Sequence, residues 1–229
     1  MDLKIKDIVK LLNVSEKTVY RWIQEKKIPC YRINHQYRFS RSEINEWILS
    51  KKIELSPRLY ELAIAGRKTR FTDLLLKGDI YYNIPGNNPH DVLYYAVSQI
   101  NTPEGLSKEE IANAVVNRER MMTTAIGRGI AIPHPRHPIL SNEDDDRVAI
   151  CFLQKPIDFG ALDGRPVHTL FIVLVTLPKR HLEILSKISY LCSMDEFVRL
   201  LENRASKNEI ISFVQRREEE WLNKIPTAI

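Results

Sequence analysis

Several common sequence features are scarce in this chain, and each scarcity removes a class of protein. Only three cysteines occur among 229 residues, Cys30, Cys151 and Cys192, odd in number and far apart. They make neither a disulfide framework nor a Cys-x-x-Cys site, so a reducing, cytoplasmic setting is expected. Long apolar runs are missing. The most apolar stretch, Leu170 to Val175, falls far short of the roughly 20 residues that span a bilayer. Met1 to Asp7 mixes charges and lacks a signal peptide's apolar core. A soluble chain without membrane insertion is expected, which excludes a permease. There is no Gly-x-x-x-x-Gly-Lys-Ser/Thr run, hence no expected cradle for ATP phosphates. His134 and His137 stand three apart without an acidic or cysteine partner at ligand spacing, so neither a metal nor another cofactor is expected. The acidic run Glu143-Asp144-Asp145-Asp146 reads as a solvated loop.

What is present divides in two. Apolar residues make up 44% of the chain, enough for a normal core, and the length suits one or two domains. Net charge is +5 but unevenly spread. Residues 1–70 hold 16 Lys and Arg against 8 Asp and Glu, a net +8, and the remainder holds 18 against 21, a net −3. Two modules with different partners are expected, the basic one suited to nucleic acid.

In the basic part, Ile5, Ile8, Val9 and Leu12 fall on one helical face. After a short turn at Asn13-Val14, Ser15 is placed to cap a second helix, Glu16 to about Gln24. Val19 and Ile23 face inward there, and Lys17, Thr18 and Arg21 face the other way. Ile28 to Phe39 reads as a hairpin turning at Asn34-His35. Ser40 and Glu43 have capping-box spacing for a third helix. This order, with Asp7 to Ser15, Thr18 to Ile23, Ile28-Pro29, Tyr37-Arg38-Phe39 and Glu46-Trp47-Ile48, resembles the excisionase-like, MerR-related winged helix-turn-helix family over residues 1–52. The resemblance implies double-stranded DNA as partner. Lys17, Thr18 and Arg21 would meet bases or phosphates in the major groove, and Arg32 and Arg38 the backbone phosphates. A homodimer reading a repeated half-site is expected, because one small module buries limited surface. Residues 53–70, bounded inside by Pro57 and Gly66, read as a partly helical linker.

From residue 71 to about 225, strands alternate with helices, which argues an α/β layer fold. Val148 to Leu153 and Val167 to Val175 are expected buried strands. Asp91 to Gln99 is an expected helix with Val92, Tyr95, Ala96 and Ile100 inward. The centre of interest is Arg118 to His137. Ile130-Ala131-Ile132 reads as a short buried strand, Gly127 and Gly129 let the chain bend before it, and Pro133 and Pro135 flank His134. A histidine held so stiffly at a sheet edge is a candidate nucleophile or ligand.

Arg118-Glu119, Thr124, Gly127/Gly129 and Ala131-Ile132-Pro133-His134, followed by Phe171 to Val175 leading into His181, resemble the enzyme IIA proteins of the bacterial phosphotransferase system, mannitol/fructose/nitrogen type. Arg118 precedes His134 by 16 positions, as in that family, and Pro135 stands where many members have Gly or Ala. The resemblance implies a mixed sheet with helices on both sides. It also implies phosphorylation of His134 by an HPr-like phosphocarrier protein. Arg118 would neutralise the phosphoryl oxygens, His181 would donate a hydrogen bond to them, and Thr124 would bond the His134 ring or the phosphoryl group. The expected function is a DNA-binding transcriptional regulator governed by that phosphorylation. The alternatives are a working phosphocarrier that feeds a sugar permease, and a DNA-binding protein whose second domain no longer reacts.

Overall fold

The computed structural model describes residues 3–12, 14–33, 36–40, 43–44, 47, 70–103 and 105–223. The chain divides into two compact units, Met1–Ser56 and Pro57–Ile229. Among the described residues no helix is long and apolar enough to cross a membrane.

The first unit carries α1 (Ile5–Leu12) and α2 (Glu16–Gln24), then β1 (Tyr31–Ile33) antiparallel to β2 (Gln36–Arg38). Ser15 caps α2, its hydroxyl accepting from the Thr18 backbone N–H at 3.2 Å. Ile8, Val19, Ile23, Ile28 and Phe39 are buried at its centre. Leu3 and Phe39 exchange backbone hydrogen bonds of 3.2 and 3.0 Å, tying the chain start to the end of the hairpin. The expected hairpin turn, most of the third helix and the linker lie outside the described residues. Within that helix Glu43, Ile44 and Trp47 are helical, and the Trp47 ring packs on Trp22, centroids 5.2 Å apart.

The second unit is a five-stranded mixed sheet with helices on its faces. Its elements are α3 (Phe71–Gly78), β3 (Ile80–Ile84), α4 (Pro89–Gln99), α5 (Lys108–Met121), β4 (Ala125–Gly127), β5 (Ile130–Ala131), β6 (Arg147–Ile157), β7 (Val167–Leu174), α6 (Pro178–Ser193), α7 (Asp195–Glu202) and α8 (Lys207–Asn223). Strand order is β3-β6-β7-β5-β4. β3 runs parallel to β6 and β5 parallel to β7, and the β6–β7 and β4–β5 pairs are antiparallel. Residues 147–153 of β6 and most of β7 are buried without alternation, as strands covered on both faces must be. Ala149, Cys151, Leu170 and Ile172 join the core built with Val92, Ala96, Val115 and Val116 of α4 and α5. Facing the other way, Phe171 meets Phe197 of α7, which stacks on Phe213 of α8 at 5.3 Å.

Two strands, β3 and β4, are additions to what the apolar pattern predicts. β3 holds two tyrosines and an asparagine between its isoleucines, and β4 is three residues long. Tyr95, expected inward, is 50% exposed. The helix buries Val92, Leu93, Ala96, Val97 and the flanking Ile100, and at 100° per residue Tyr95 lies about 130° from the centre of that stripe.

β4 and β5 form a tight hairpin whose two loop residues, Arg128 and Gly129, have φ of 58° and 73°, the geometry that matches strand twist. A Cβ at Gly129 would lie 2.3 Å from the His168 ring. Gly129→Ala therefore meets a clash and a left-handed backbone together. We expect a loss of roughly 2–4 kcal/mol in chemical denaturation; a loss within 0.5 kcal/mol would show that the ring yields freely.

Candidate functional site

His134 sits on the loop leaving β5, between two buried prolines. The loop is fastened on both sides: Val173 N–H of β7 donates to Pro133 O at 2.9 Å, and Ile132 N–H donates to Thr124 O at 3.1 Å. The ring is only 4% exposed. Its Nδ1 lies 2.8 Å from Ile132 O. A carbonyl can only accept, so Nδ1 carries the proton and the neutral ring keeps its lone pair on Nε2.

His181 comes from the first turn of α6, and its ring meets the His134 ring edge-on with centroids 4.5 Å apart. Burial pushes the His181 pKa well below the ordinary histidine range, and the neighbouring His134 and Arg118 push it the same way. Arg118, near the end of α5, is 3% exposed and donates to Met122 O at 2.7 Å. The fold thus gathers His134, His181 and Arg118 from three separate elements.

Thr124 is placed differently from the expectation of a bond to the His134 ring. Its hydroxyl donates to Glu119 Oε2 at 2.5 Å and its N–H to Glu119 Oε1 at 2.9 Å. Its carbonyl receives the Ile132 N–H. Thr124 therefore acts on the histidine loop through the backbone, and its hydroxyl proton is committed to Glu119. Glu119 is a part of the site that the sequence leaves without a role. Burial raises its pKa against the opposing hydrogen bonds from Thr124.

The acidic run also departs from the solvated-loop reading. Residues Glu143–Asp145 form a 3-10 turn, but Asp146 is fully buried. Its Oδ1 accepts from Thr176 N–H at 2.8 Å and from the Thr176 hydroxyl at 3.1 Å, and its Oδ2 pairs with Arg180 Nε at 3.0 Å. A signal was available: Asp146 is the member of the run nearest the apolar strand, which draws it inside. His137, three residues beyond His134, is exposed.

In the first unit Lys17, Arg21 and Arg32 are exposed. Thr18 is half-buried, its hydroxyl 3.0 Å from the Ser15 hydroxyl. Arg38 is half-buried and donates to Gln36 Oε1 at 2.8 Å. Lys17 and Arg21, one helical turn apart on α2, form the accessible basic face.

Comparison with known proteins agrees with this layout. Residues 73–217 match the family model described as "Phosphoenolpyruvate-dependent sugar phosphotransferase system, EIIA 2", and residues 3–52 match a helix-turn-helix domain model. A nitrogen regulatory protein of Pseudomonas aeruginosa is 36% identical over 124 residues, covering 52% of this chain and 78% of that protein. The fructose-specific EIIABC component of Bacillus subtilis is 30% identical over 152 residues, 65% of this chain but only 24% of that protein's length. The mannitol-specific enzyme IIA component of Geobacillus stearothermophilus is 30% identical over 141 residues, covering 62% of this chain and 94% of that protein. Among solved structures, the nitrogen regulatory protein IIA-Ntr of Neisseria meningitidis superposes with a TM-score of 0.53 at 27% identity, covering 59% of this chain and 92% of that one.

The depressed His181 pKa has a measurable consequence. The folded chain takes up this proton later than the unfolded chain does. The stability associated with His181 is then full above pH ~6.5 and is lost as pH falls from there toward the depressed value. NMR titration should find the His181 ring neutral at pH 6.5, where an unperturbed histidine is half protonated. A half-protonated ring at that pH would contradict the packing described.

Proposed function

Given that the chain belongs to the EIIA 2 family of the phosphoenolpyruvate-dependent sugar phosphotransferase system and carries a helix-turn-helix domain ahead of that part, we propose that it is a DNA-binding transcriptional regulator whose EIIA domain accepts a phosphoryl group on His134 from an HPr-like phosphohistidine carrier. The observation that carries this reading is the His134 ring itself. Its Nδ1 lies 2.8 Å from Ile132 O, which leaves Nε2 as the nitrogen able to attack, and His181 packs 4.5 Å away.

The step balances without an added co-reactant. The Nε2 lone pair of His134 forms the new N–P bond as the carrier's N–P bond breaks, and the electron pair of that bond leaves with the carrier's imidazole. The Nδ1 proton of His134 stays on Nδ1, donated to Ile132 O, and that bond spreads the positive charge that develops on the ring. Phosphoryl transfer asks mainly for placement and charge neutralisation. Arg118 supplies a fixed cation. His181, held neutral, supplies a ring N–H donor. Glu119 and Thr124 hold the loop.

The acid-labile, base-stable adduct expected of a phosphohistidine should appear with phosphoenolpyruvate, enzyme I and the carrier, and should map to His134. Label persisting in His134→Ala would overturn the assignment. Arg118→Ala should slow transfer by roughly 10²-fold, the scale of one lost electrostatic contact; an unchanged rate would remove Arg118 from the step.

For the helix-turn-helix domain, the exposed Lys17, Arg21 and Arg32 support contacts to phosphates and base edges of double-stranded DNA. Phosphorylation adds nearly two negative charges to the chain, and a coupling of ~1–3 kcal/mol would change DNA affinity ~5–150-fold. The expected change is a weakening, since the new charge repels DNA or attracts the basic module. The measurement is operator affinity of phosphorylated, unphosphorylated and His134→Ala protein at one salt concentration. Equal affinities would favour the second reading, a phosphocarrier that serves a sugar permease, to which the fructose- and mannitol-specific relatives lend support.

A further inference from the structure

We propose that Asp146 is a positioning residue for the phosphoryl-transfer site: from the start of β6 it clamps the first turn of α6 and thereby sets the His181 ring against His134. The proposal rests on the phosphoryl-acceptor reading of His134.

The start of α6 lacks a side-chain cap of its own. The helix starts at Pro178, and the residue in the cap position, Leu177, makes no side-chain cap hydrogen bond. A helix start leaves backbone N–H groups without intrahelical partners and frays unless something holds it. His181 lies in this turn, and its own N–H makes the early helical bond to Leu177 O at 2.9 Å. Its ring placement is therefore no firmer than the turn that bears it.

Asp146 supplies the hold from another element. One carboxylate oxygen takes the Thr176 N–H and hydroxyl, just ahead of the helix, and the other pairs with Arg180 Nε, inside it. The two contacts bracket the helix start. Arg180 reaches on to Glu143 Oε2 at 2.9 Å, so the clamp spans the whole acidic turn. A carboxylate at a helix start is also favoured by the helix dipole. Asp146 is fully buried, and its bonds go to Thr176 and Arg180 rather than to either histidine. Its influence on the reaction passes through Arg180 and Thr176 to the residue that follows them. A displacement near 1 Å at a reacting group can cost about 10²-fold in rate.

The experiment uses the full-length chain as Asp146→Asn, which keeps the size and the acceptor for Thr176 but removes the charge facing Arg180, and as Arg180→Met. Circular dichroism and the melting curve report folding. Phosphoryl transfer from the carrier is followed with KM and kcat separated, and His181 is titrated by NMR. Both variants should lose roughly 10–100-fold in kcat with KM little changed. In Asp146→Asn the His181 pKa should rise toward the ordinary range as the ring leaves its packed place. The sign discriminates, because loss of a nearby negative charge alone would lower a histidine pKa.

A wild-type rate in Asp146→Asn, or a His181 pKa there that falls or stays put, would overturn the proposal. So would a slow Arg180→Met beside a normal Asp146→Asn, since Arg180 would then act on the phosphoryl group directly. If the wild-type chain takes up no phosphoryl group at all, the acceptor reading fails. The titration of Asp146→Asn then still decides whether this carboxylate places His181.

Discussion

The site depends on how firmly a two-residue strand is gripped. β5 pairs with β7 along one side and β4 along the other, and the loop beyond it is caught twice more, at Pro133 O and at Ile132 N–H. Gly129 O, just before the strand, receives N–H groups from His168 and Thr169. With the backbone so fixed, Ile132 O has one direction in which to accept, and the His134 ring turns its Nδ1 to it. The orientation of the buried His134 ring thus follows from main-chain pairing. Arg118 and His181 are then delivered by the end of one helix and the beginning of another.

Much of this is legible along the chain, and the reasons for the gaps are physical. The Arg118 to His137 segment shows itself because glycines, a β-branched run and two prolines are each needed where they stand. The central strands β6 and β7 show themselves because both of their faces are covered. β3 and β4 do not: one sets two tyrosines and an asparagine between its isoleucines at an edge, without a period-2 pattern, and the other is too short to display a period. Thr124 illustrates a different limit. A hydroxyl two loops from a histidine has many partners within reach in sequence, and only the packing of α5 reveals that Glu119 claims it. Asp146 is the sharpest case. Four acidic residues in a row look alike, yet the one abutting the strand is carried inside while its neighbours stay in a surface turn.

Charge is handled differently in the two units. The helix-turn-helix unit keeps Lys17, Arg21 and Arg32 outside, where screening by salt limits their reach to about a Debye length. The EIIA unit takes Arg118, Arg147, Asp146, Lys187 and Glu218 inside. Buried pairs add little net stability, but breaking one leaves an uncompensated charge. Such pairs are therefore more sensitive to geometry than to ionic strength, which suits a site whose work is placement.

One of those buried groups closes the unit on itself. Glu218 of α8 accepts from Phe71 N–H at 2.5 Å, from Thr72 N–H at 3.0 Å and from the Thr72 hydroxyl at 2.6 Å, capping α3 from the other end of the fold. Phe71 and Glu218 are 147 positions apart. During synthesis at about 5–20 residues per second, the amides of α3 wait roughly 7–30 s before their carboxylate has been made. Among the described residues of the first unit, which precedes them in the chain, the backbone bonds that reach furthest join Leu3 and Phe39, 36 positions apart. The described part of the first unit is thus bonded within a far shorter length of chain, and the EIIA unit stays open until its last helix has been made.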